Sequence, residues 1–250
     1  MEPKSSWING KTALVTGAAK RIGKATALAI AKHNVNLVLH YRSSHDEAEA
    51  VASECRNIGV KSWIVQGDLR DPEQTEALLE KTVKDAGPIH ILVNNASIFT
   101  KNQLMDFTLQ DLEDNIQVNA ISPLLIARSF AEQGCEGAIV NFLDTRITEY
   151  DNGHAAYHLS KRMLFTLTRM MALEFAPSIR VNAVAPGLIL PPPGEDLSYL
   201  QKLAHTNPLN RIGSPESITD AVLFLLRSEF VTGQVIFVDG GYHMKGSVYG

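Results

Sequence analysis

The sequence predicts a single α/β domain built on a doubly wound parallel β-sheet, and three observations support this. The chain has 250 residues, of which 45% are hydrophobic, enough for one sizeable core. Short apolar runs alternate with amphipathic segments along its length, which is typical of right-handed βαβ units. A glycine-bearing turn directly follows the first apolar run, at the sheet edge where such folds bind ligands.

Seven apolar runs are predicted to be strands. Their nearly continuous, β-branched character is what parallel strands need when helices cover both faces of the sheet. The runs are TALVTG (12–17), NLVLHY (36–41), SWIVQGD (62–68), HILVNNA (90–96), GAIVNFL (137–143), IRVNAVAPG (179–187) and GQVIFVDG (233–240).

The segments between the strands are predicted to be helices, as Asp71, Pro72 and Gln74 at the N-cap, N1 and N3 positions illustrate. One long irregular region runs from 186 to about 210 and contains three consecutive prolines at 191–193. Neither a central strand nor a helix interior accepts such a run. Because the region follows the carboxyl end of a strand, we expect a substrate loop there, with a simple surface excursion as the alternative.

Charge and cysteine content narrow the classes of function. A net charge of -4 and a pI near 6.1 provide no basic field for nucleic acid or an anionic membrane. Cys55 and Cys135 have neither the spacing of a disulfide framework nor that of a zinc site. No apolar run reaches the length of a signal peptide or a membrane span. These features favour a cytoplasmic protein that acts on small molecules without a metal ion.

The turn TGAAKRIG (16–23) follows the first strand and opens a helix whose inward residues we expect to be Ala25, Leu28, Ala29 and Ile30. Small residues let the backbone approach a ligand, and a helix N-terminus offers N–H groups and a favourable dipole to phosphate. The turn therefore suits the pyrophosphate of a dinucleotide in a Rossmann-type fold, with an ordinary βα turn as the alternative.

The end of the second strand indicates which dinucleotide is bound. NAD-preferring proteins commonly place a carboxylate there. This chain has a polar and basic run instead, His40, Tyr41, Arg42, Ser43 and Ser44. A guanidinium and two hydroxyls suit a 2′-phosphate, and Lys20 and Arg21 add positive charge nearby. NADP(H) is therefore favoured over NAD(H), unless Arg42 is only a solvated surface arginine.

Tyr157 and Lys161 lie four residues apart in a predicted long helix and therefore share one face. An ammonium beside the phenol favours the tyrosinate, so the pair can transfer a proton near neutral pH. Asp144 ends the fifth predicted strand and Asn119 lies in an earlier helix, so both can come close to Tyr157. The alternatives are an exposed Tyr–Lys pair, a capping aspartate and an asparagine bonded to backbone.

Together these motifs resemble the short-chain dehydrogenases/reductases over essentially the whole chain. The matching segments are TGAAKRIG (16–23), Asp68, NNAS (94–97), Asn119, YHLSK (157–161), PGL (186–188) and VDGGY (238–242). The resemblance implies that Asp68 meets the adenine, that Lys161 bonds the nicotinamide ribose, and that Asn119 supports a proton-relay water. The full set of NADP(H)-binding residues that it implies is Gly17, Lys20, Arg21, Ile22, Gly23, His40, Tyr41, Arg42, Ser43, Asp68, Leu69, Asn95, Ala96, Ser97, Tyr157, Lys161, Pro186, Gly187 and Leu188.

Two departures from the common family pattern resemble the pteridine reductase branch. Arg21 replaces the middle glycine of the turn, and Asp144 replaces the usual catalytic serine. The same branch shows an HY-R-S segment, here 40–43, and an aromatic residue after NNAS, here Phe99. The resemblance implies a pterin between the nicotinamide and this ring, whereas core packing is the alternative for Phe99. The implied substrate contacts are Arg21, Ser97, Phe99, Asp144 and Tyr157.

We therefore expect an NADPH-dependent reductase of a dihydropterin, with Tyr157 as proton donor, Asp144 as its partner and Lys161 as activator. A carbonyl reductase needs a hydroxyl donor to an oxyanion, whereas a pterin C=N bond needs a proton delivered to nitrogen. A 3-oxoacyl or other carbonyl reductase is the alternative within the family. A catalytically silent nucleotide-binding regulatory protein is the alternative of another class, although a pure binding module needs no proton relay.

The family resemblance also implies a homotetramer. The segments around 109–133 and 157–176 are apolar enough to bury a second face. In the predicted long helix that carries Tyr157 and Lys161, we expect the residues that pack to be Ala156, Met163, Leu167, Met170 and Leu173. Apolar helical stripes more often face a core than an interface, so the sequence does not fix the number of subunits.

Overall fold

Seven parallel strands form one sheet in the computed structural model, which describes residues 7–150, 152–192 and 194–245. The sheet order is β3-β2-β1-β4-β5-β6-β7, and every neighbouring pair is parallel. This confirms the doubly wound, seven-stranded sheet that the sequence predicts. The strands are β1 Thr12–Val15, β2 Asn36–Tyr41, β3 Ser62–Gln66, β4 Ile91–Asn94, β5 Gly137–Phe142, β6 Ile179–Pro186 and β7 Val235–Val238.

Helices cover both faces of the sheet. They are α1 Arg21–Ala31, α2 His45–Ile58, α3 Pro72–Ala86, α4 Leu109–Ile116, α5 Ser122–Glu132, α6 Ala155–Glu174, α7 Leu197–Leu203, α8 Pro215–Arg227 and α9 Tyr242–Lys245. Helices α1, α2 and α8 pack on one face, whereas α3, α5 and α6 pack on the other. A π-helical turn at Gln117–Ile121 joins α4 to α5.

The two-sided covering explains why the strands are apolar at successive positions. In β1, Ala13 and Val15 contribute to the core under α1 and α8, whereas Leu14 contributes to the core on the opposite face. In β2, Leu37 and Val38 divide between the faces in the same way. Successive strand side chains point to opposite faces, so a sheet buried on both sides requires an unbroken apolar run.

Helix starts follow local chemistry, and the predicted cap of α3 is confirmed. The Asp71 side chain accepts hydrogen bonds from the backbone nitrogens of Glu73, at 2.9 Å, and Gln74, at 3.2 Å. Pro72 follows as the first helical residue, where its missing N–H costs nothing. These bonds satisfy two of the backbone donors that a helix N-terminus leaves without partners.

The buried face of α1 differs in part from the prediction. Ile30 is buried as expected, but Ala25, Leu28 and Ala29 are only half-buried. The other buried residues of the helix are Gly23, Thr26, Ala27 and Ala31. Small side chains on this face let the helix approach the sheet closely, while Leu28 and Ala29 pack at the margin of the same core.

The predicted irregular region at 186–210 contains regular structure as well. Helix α7 begins after Asp196, whose side chain accepts a hydrogen bond of 2.8 Å from the backbone nitrogen of Ser198. A 3₁₀ turn at Ala204–Thr206 continues the chain from α7. Pro191 and Pro192 lie outside helices and strands, in agreement with the prediction, and Pro193 lies outside the described residues.

Candidate active site

The turn between β1 and α1 packs directly against the end of β4. Gly17 has φ +62°, and a Cβ there would lie 3.0 Å from the Cα of Ala96. A Cβ on Gly23 would lie 2.2 Å from the carbonyl oxygen of Gly17. These distances leave no room for a side chain, so glycine is required at both positions. The N-terminus of α1 is thereby held close to the turn.

Asn95 and Ala96 brace the same turn through hydrogen bonds. The Asn95 side-chain amide donates to the carbonyl oxygens of Thr16, at 2.9 Å, and Gly17, at 3.1 Å. The Thr16 hydroxyl accepts from the backbone nitrogens of Asn95 and Ala96, both at 3.0 Å. The side chain of Asn95 therefore stabilises the turn from the direction of β4.

His40 lies beneath the turn and is 2% exposed. Its Nδ1 accepts a hydrogen bond of 3.1 Å from the Gly17 backbone nitrogen, and its Nε2 lies 3.0 Å from the Gly67 carbonyl oxygen. Only a neutral ring that carries its proton on Nε2 makes both bonds. Burial lowers the pKa of His40 to about 4, although the Gly67 carbonyl and Asp68 act in the opposite direction. The imidazole thus supports the turn from behind, and the expected contact of His40 with the cofactor stays a prediction.

The basic residues predicted to bind a 2′-phosphate lie at the surface beside this turn. Arg42 and Ser43 are exposed, and Tyr41 is half-buried. Lys20 forms a 2.8 Å ion pair with Glu47 of α2, which lowers the pKa of that carboxyl. A carboxylate therefore does stand near the end of β2, contributed by α2, and it partly neutralises Lys20.

Arg21 and Ile22 begin α1 and differ in their surroundings. Arg21 has φ +55° and is exposed, and its guanidinium Nη2 donates a 2.7 Å hydrogen bond to the carbonyl oxygen of Pro191. Ile22 is half-buried against the core under α1. The arginine therefore connects the turn between β1 and α1 to the irregular region after β6.

Asp68 and Leu69 follow β3, the strand next to β2. The Asp68 carboxylate pairs with Arg70, with 2.5 Å between Oδ2 and the guanidinium Nη2, and this bond lowers the pKa of Asp68. The Leu69 side chain is buried in the core, and its carbonyl oxygen accepts a 2.6 Å hydrogen bond from the Ser122 hydroxyl. Any contact of Leu69 with a cofactor is therefore restricted to its backbone.

The PGL segment lies at the end of β6, where Pro186, Gly187 and Leu188 are all half-buried. The Leu188 carbonyl oxygen accepts a 2.9 Å hydrogen bond from the Gly213 backbone nitrogen, just before α8. The segment thus lies at the same edge of the sheet as the turn after β1, because all strands run parallel.

Asp144, Tyr157 and Lys161 come together at the end of β5, as predicted from their positions. The Tyr157 hydroxyl donates a 2.9 Å hydrogen bond to Asp144 Oδ2, and Asp144 Oδ1 accepts from the Arg146 backbone nitrogen at 2.8 Å. Lys161 Nζ donates to the Phe142 carbonyl oxygen at 2.8 Å and lies 5.7 Å from the centroid of the Tyr157 ring. Burial lowers the pKa of Lys161 to about 8, although Asp144 acts in the opposite direction.

Asn119 lies in the π-helical turn and is fully buried. Its Oδ1 accepts from the Ser97 hydroxyl, at 3.0 Å, and from the Ile98 backbone nitrogen, at 2.9 Å. Its Nδ2 donates to the Ser160 hydroxyl at 2.9 Å, which in turn donates to the Tyr157 carbonyl oxygen at 2.6 Å. The side chain of Asn119 therefore ties the segment after β4 to the turn of α6 that carries Tyr157.

Phe99 is 48% exposed, which rules out the core-packing alternative. Its ring meets the Tyr157 ring at 90°, with 4.7 Å between centroids, and stacks on His154 at 4.1 Å. Asn102 fixes this segment, because its carbonyl oxygen and its side-chain oxygen accept from the backbone nitrogens of Ala155, at 3.0 Å, and Ala156, at 3.2 Å. The loop after β4 and the start of α6 thus pack together beside the side chain of Tyr157.

Sequence reasoning missed three residues of this region. His154 stacks on Phe99, and Thr145 hydrogen-bonds to Asp239, but neither contact joins residues with a recognisable sequence spacing. Asp239 belongs to the VDGGY motif, so the sequence singled out its segment but did not indicate a role for Asp239.

Among the residues that the structure describes, no group of three or more His, Cys, Asp or Glu side chains is arranged to hold a metal ion. Within the same residues, no helix has the length and apolar character needed to cross a membrane.

Comparisons with known proteins agree on one family. The model of a family described as Enoyl-(Acyl carrier protein) reductase matches residues 17–243. A 3-oxoacyl-[acyl-carrier-protein] reductase FabG of Staphylococcus aureus is 34% identical over 242 residues, which cover 94% of this chain and 98% of that protein. Versicolorin reductase 1 of Aspergillus parasiticus is 34% identical over 253 residues, which cover 94% and 97%. The crystal structure of FolM alternative dihydrofolate reductase 1 from Brucella canis, complexed with NADP, superposes with a TM-score of 0.90 at 31% identity over 95% of each chain.

The buried, neutral His40 predicts a specific loss of stability in acid. Between pH 6.5 and about 4 the unfolded chain binds a proton at this residue that the folded chain does not. The stability contributed by His40 is therefore present above pH 6.5 and is lost as the pH falls, by about 3 kcal/mol in total. The free energy of unfolding is measured with urea at pH 7 and pH 4.5 for the wild type and for His40→Gln. It should change less between the two pH values in the variant than in the wild type.

His45→Gln is the matched control, because this histidine is exposed on α2. The expected result is a larger reduction of the pH dependence in His40→Gln than in His45→Gln. Equal pH dependence in His40→Gln and the wild type would contradict the assignment.

Proposed function

The chain belongs to the short-chain dehydrogenase/reductase family of oxidoreductases, and we propose that it reduces a dihydropterin to the tetrahydropterin with NADPH. The observation that carries this proposal is the 2.9 Å hydrogen bond from the Tyr157 hydroxyl to the Asp144 carboxylate. The exposed ring of Phe99 lies beside this pair, with its centroid 4.7 Å from that of Tyr157.

The charge of Asp144 favours a ring nitrogen over a carbonyl as the group that is reduced. Reduction of a carbonyl builds negative charge on oxygen, which a neighbouring carboxylate repels and cannot satisfy as a donor. Reduction of a protonated C=N bond involves positive charge on the ring, which the same carboxylate stabilises. Asp144 therefore suits a pterin, in which the proton goes to a ring nitrogen.

Each of the three clustered residues then has a role in moving one proton. Tyr157 transfers its hydroxyl proton to the ring nitrogen and becomes the tyrosinate. Until that transfer the same proton is held in the hydrogen bond to Asp144 Oδ2, which keeps the hydroxyl in place. Lys161, held by the Phe142 carbonyl oxygen, provides a positive charge that favours the deprotonated tyrosine left after transfer. NADPH supplies the hydride when it is bound.

The flat ring of a pterin also fits the surfaces around Tyr157. The half-exposed Phe99 ring offers an aromatic surface for stacking. Ser97 and Arg21 are both exposed at the same edge of the sheet. The Arg21 guanidinium carries donors for ring oxygen, ring nitrogen or phosphate, whereas Ser97 Oγ, whose proton goes to Asn119, can accept a hydrogen bond from the ring. Asn119 acts here as a support for the Ser97–Ile98 segment.

The comparisons support both this substrate and its alternative. The Brucella canis relative is described as an alternative dihydrofolate reductase and was solved with NADP, and dihydrofolate contains a pterin ring. The Staphylococcus aureus relative is described as a 3-oxoacyl reductase at 34% identity, which favours a carbonyl substrate as the second candidate. Turnover of any such substrate excludes a catalytically silent regulatory protein, and free Cys55 and Cys135 suit a cytoplasmic location.

The cofactor part of the proposal predicts that Arg42 selects NADPH. Its exposed guanidinium is available to a 2′-phosphate, whereas Lys20 is already paired with Glu47. Arg42→Ala should raise the KM for NADPH by about tenfold or more, because a charge-assisted hydrogen bond is lost, and should barely change the KM for NADH. Lys20→Ala is the comparison variant and should have a smaller effect. Equal kcat/KM values of the wild type for NADPH and NADH would contradict the proposed preference for NADPH.

The substrate part of the proposal is tested by a panel of dihydrobiopterin, dihydromonapterin, dihydrofolate and an acetoacetyl thioester, with NADPH oxidation as the readout. Asp144→Ser should lower kcat for the dihydropterin by about ten- to a thousandfold, because proton delivery loses its orienting carboxylate. Tyr157→Phe should lower it at least as much. Phe99→Ala should raise KM with less effect on kcat, because it removes a stacking surface and leaves the proton donor in place.

A different result of the same substrate panel would identify the protein as a carbonyl reductase. In that case the wild type ignores every dihydropterin, reduces the acetoacetyl thioester, and gains activity when serine replaces Asp144.

We also propose a homotetramer, supported by exposed apolar side chains on the helices. Met170 and Leu173 on α6 are 55% and 83% exposed, and Leu109 at the start of α4 is 69% exposed. The two α6 residues were expected to pack within the subunit, and they are instead available to a second copy. Light scattering should give four times the chain mass of 27.4 kDa. A monomeric mass at micromolar concentration would refute the proposal.

A further inference from the structure

Asp239 follows β7 and forms a buried cluster two strands away from Asp144. Its side chain is 1% exposed, yet it accepts hydrogen bonds from four donors. The backbone nitrogens of Gly241 and His243 each donate at 2.9 Å, His243 Nδ1 lies at 2.9 Å, and the Thr145 hydroxyl donates as well. Burial raises the pKa of Asp239, but these bonds together hold it below its ordinary value. The residue is therefore a fully satisfied buried carboxylate.

The bond from Thr145 crosses the sheet edge. Thr145 directly follows Asp144 after β5, whereas Asp239 follows β7, and β6 lies between these strands. Asp239 also packs against the end of β6, because a Cβ on Gly187 would lie 2.6 Å from the Asp239 Cβ. One side chain thus fixes the relative positions of the ends of three strands.

Thr145 is 5% exposed and begins the 3₁₀ turn that orients Asp144. The backbone nitrogen of the next residue, Arg146, donates 2.8 Å to Asp144 Oδ1, which leaves Oδ2 for the Tyr157 hydroxyl. Sheet hydrogen bonding ends just before this point, with a 2.8 Å bond from Leu143 to Val184. Beyond Leu143 the turn relies on other contacts, and the Thr145 hydroxyl provides a buried one.

We infer that Asp239 and Thr145 are positioning residues for catalysis, which hold the 3₁₀ turn so that Asp144 presents one oxygen to the Tyr157 hydroxyl. The inference rests on the proposed roles of Asp144 and Tyr157 in proton transfer. It assigns a function to the buried aspartate of the VDGGY motif, which touches neither Tyr157 nor Lys161 in any of its hydrogen bonds.

The test uses the hydroxyl of Thr145, because valine and serine separate its shape from its bonding. Thr145→Val keeps the branched shape and removes the donor to Asp239, whereas Thr145→Ser keeps the donor. Both changes are made in the wild type and in Asp144→Ser, and kcat and KM are measured by NADPH oxidation with a dihydropterin. The Kd for NADPH, measured by fluorescence without substrate, reports on the intact cofactor site.

Thr145→Val should lower kcat by about ten- to a hundredfold, because small displacements of catalytic groups are costly. KM and the Kd for NADPH should stay within about twofold of the wild type, since the lost contact orients a proton-transfer group. Thr145→Ser should retain about a third or more of the wild-type kcat. In the Asp144→Ser background, Thr145→Val should lower kcat by less than about twofold.

Three results would overturn the inference. The first is an unchanged kcat in Thr145→Val. The second is an equal loss of kcat from Thr145→Val in the wild type and in Asp144→Ser. The third is a kcat of Thr145→Ser as low as that of Thr145→Val. A wild type that reduces only the carbonyl substrate refutes the proposed pterin instead. The same set of variants is then measured on the acetoacetyl thioester, so the two failures remain distinct.

Discussion

Parallel strand pairing is the constraint on which the rest of the structure depends. It brings the carboxyl ends of all seven strands to one edge of the sheet, where the regular ladder of hydrogen bonds stops. Loop backbone at this edge is partly buried, so its polar groups need other partners. Polar side chains that are buried or half-buried provide them: His40 for Gly17, Asn95 for the Thr16 carbonyl, and Asn119 for Ile98. The side chains that satisfy the edge also give the site its shape.

The cluster of Asp144, Tyr157 and Lys161 shows how burial and charge act together at this edge. Lys161 is 3% exposed, and burial lowers its pKa to about 8, which keeps it mainly protonated at neutral pH. Asp144 opposes that shift and accepts the Tyr157 hydroxyl. The Asp144 carboxylate directs the Tyr157 hydroxyl, whereas the Lys161 ammonium favours the deprotonated form of the tyrosine. Their relative placement depends on the 3₁₀ turn after β5.

The charged side chains of the turn between β1 and α1 connect it to neighbouring segments. Arg21 bonds to the Pro191 carbonyl oxygen, and Lys20 pairs with Glu47. Exposed ion pairs such as Lys20–Glu47 contribute little stability. Arg42, which follows β2, is exposed.

The sequence by itself determined the seven strands, the helix cap at Asp71 and the shared face of Tyr157 and Lys161, because each follows from the periodicity or chemistry of neighbouring residues. It also pointed to Asp144, since strand ends meet at one edge. Tertiary structure alone decided that His40 lies behind the turn, that Glu47 pairs with Lys20, and that Thr145 bonds to Asp239. These contacts join residues from different elements, up to 94 positions apart. Which side chains meet there depends on how the strands and helices pack, and that information is absent from local spacing.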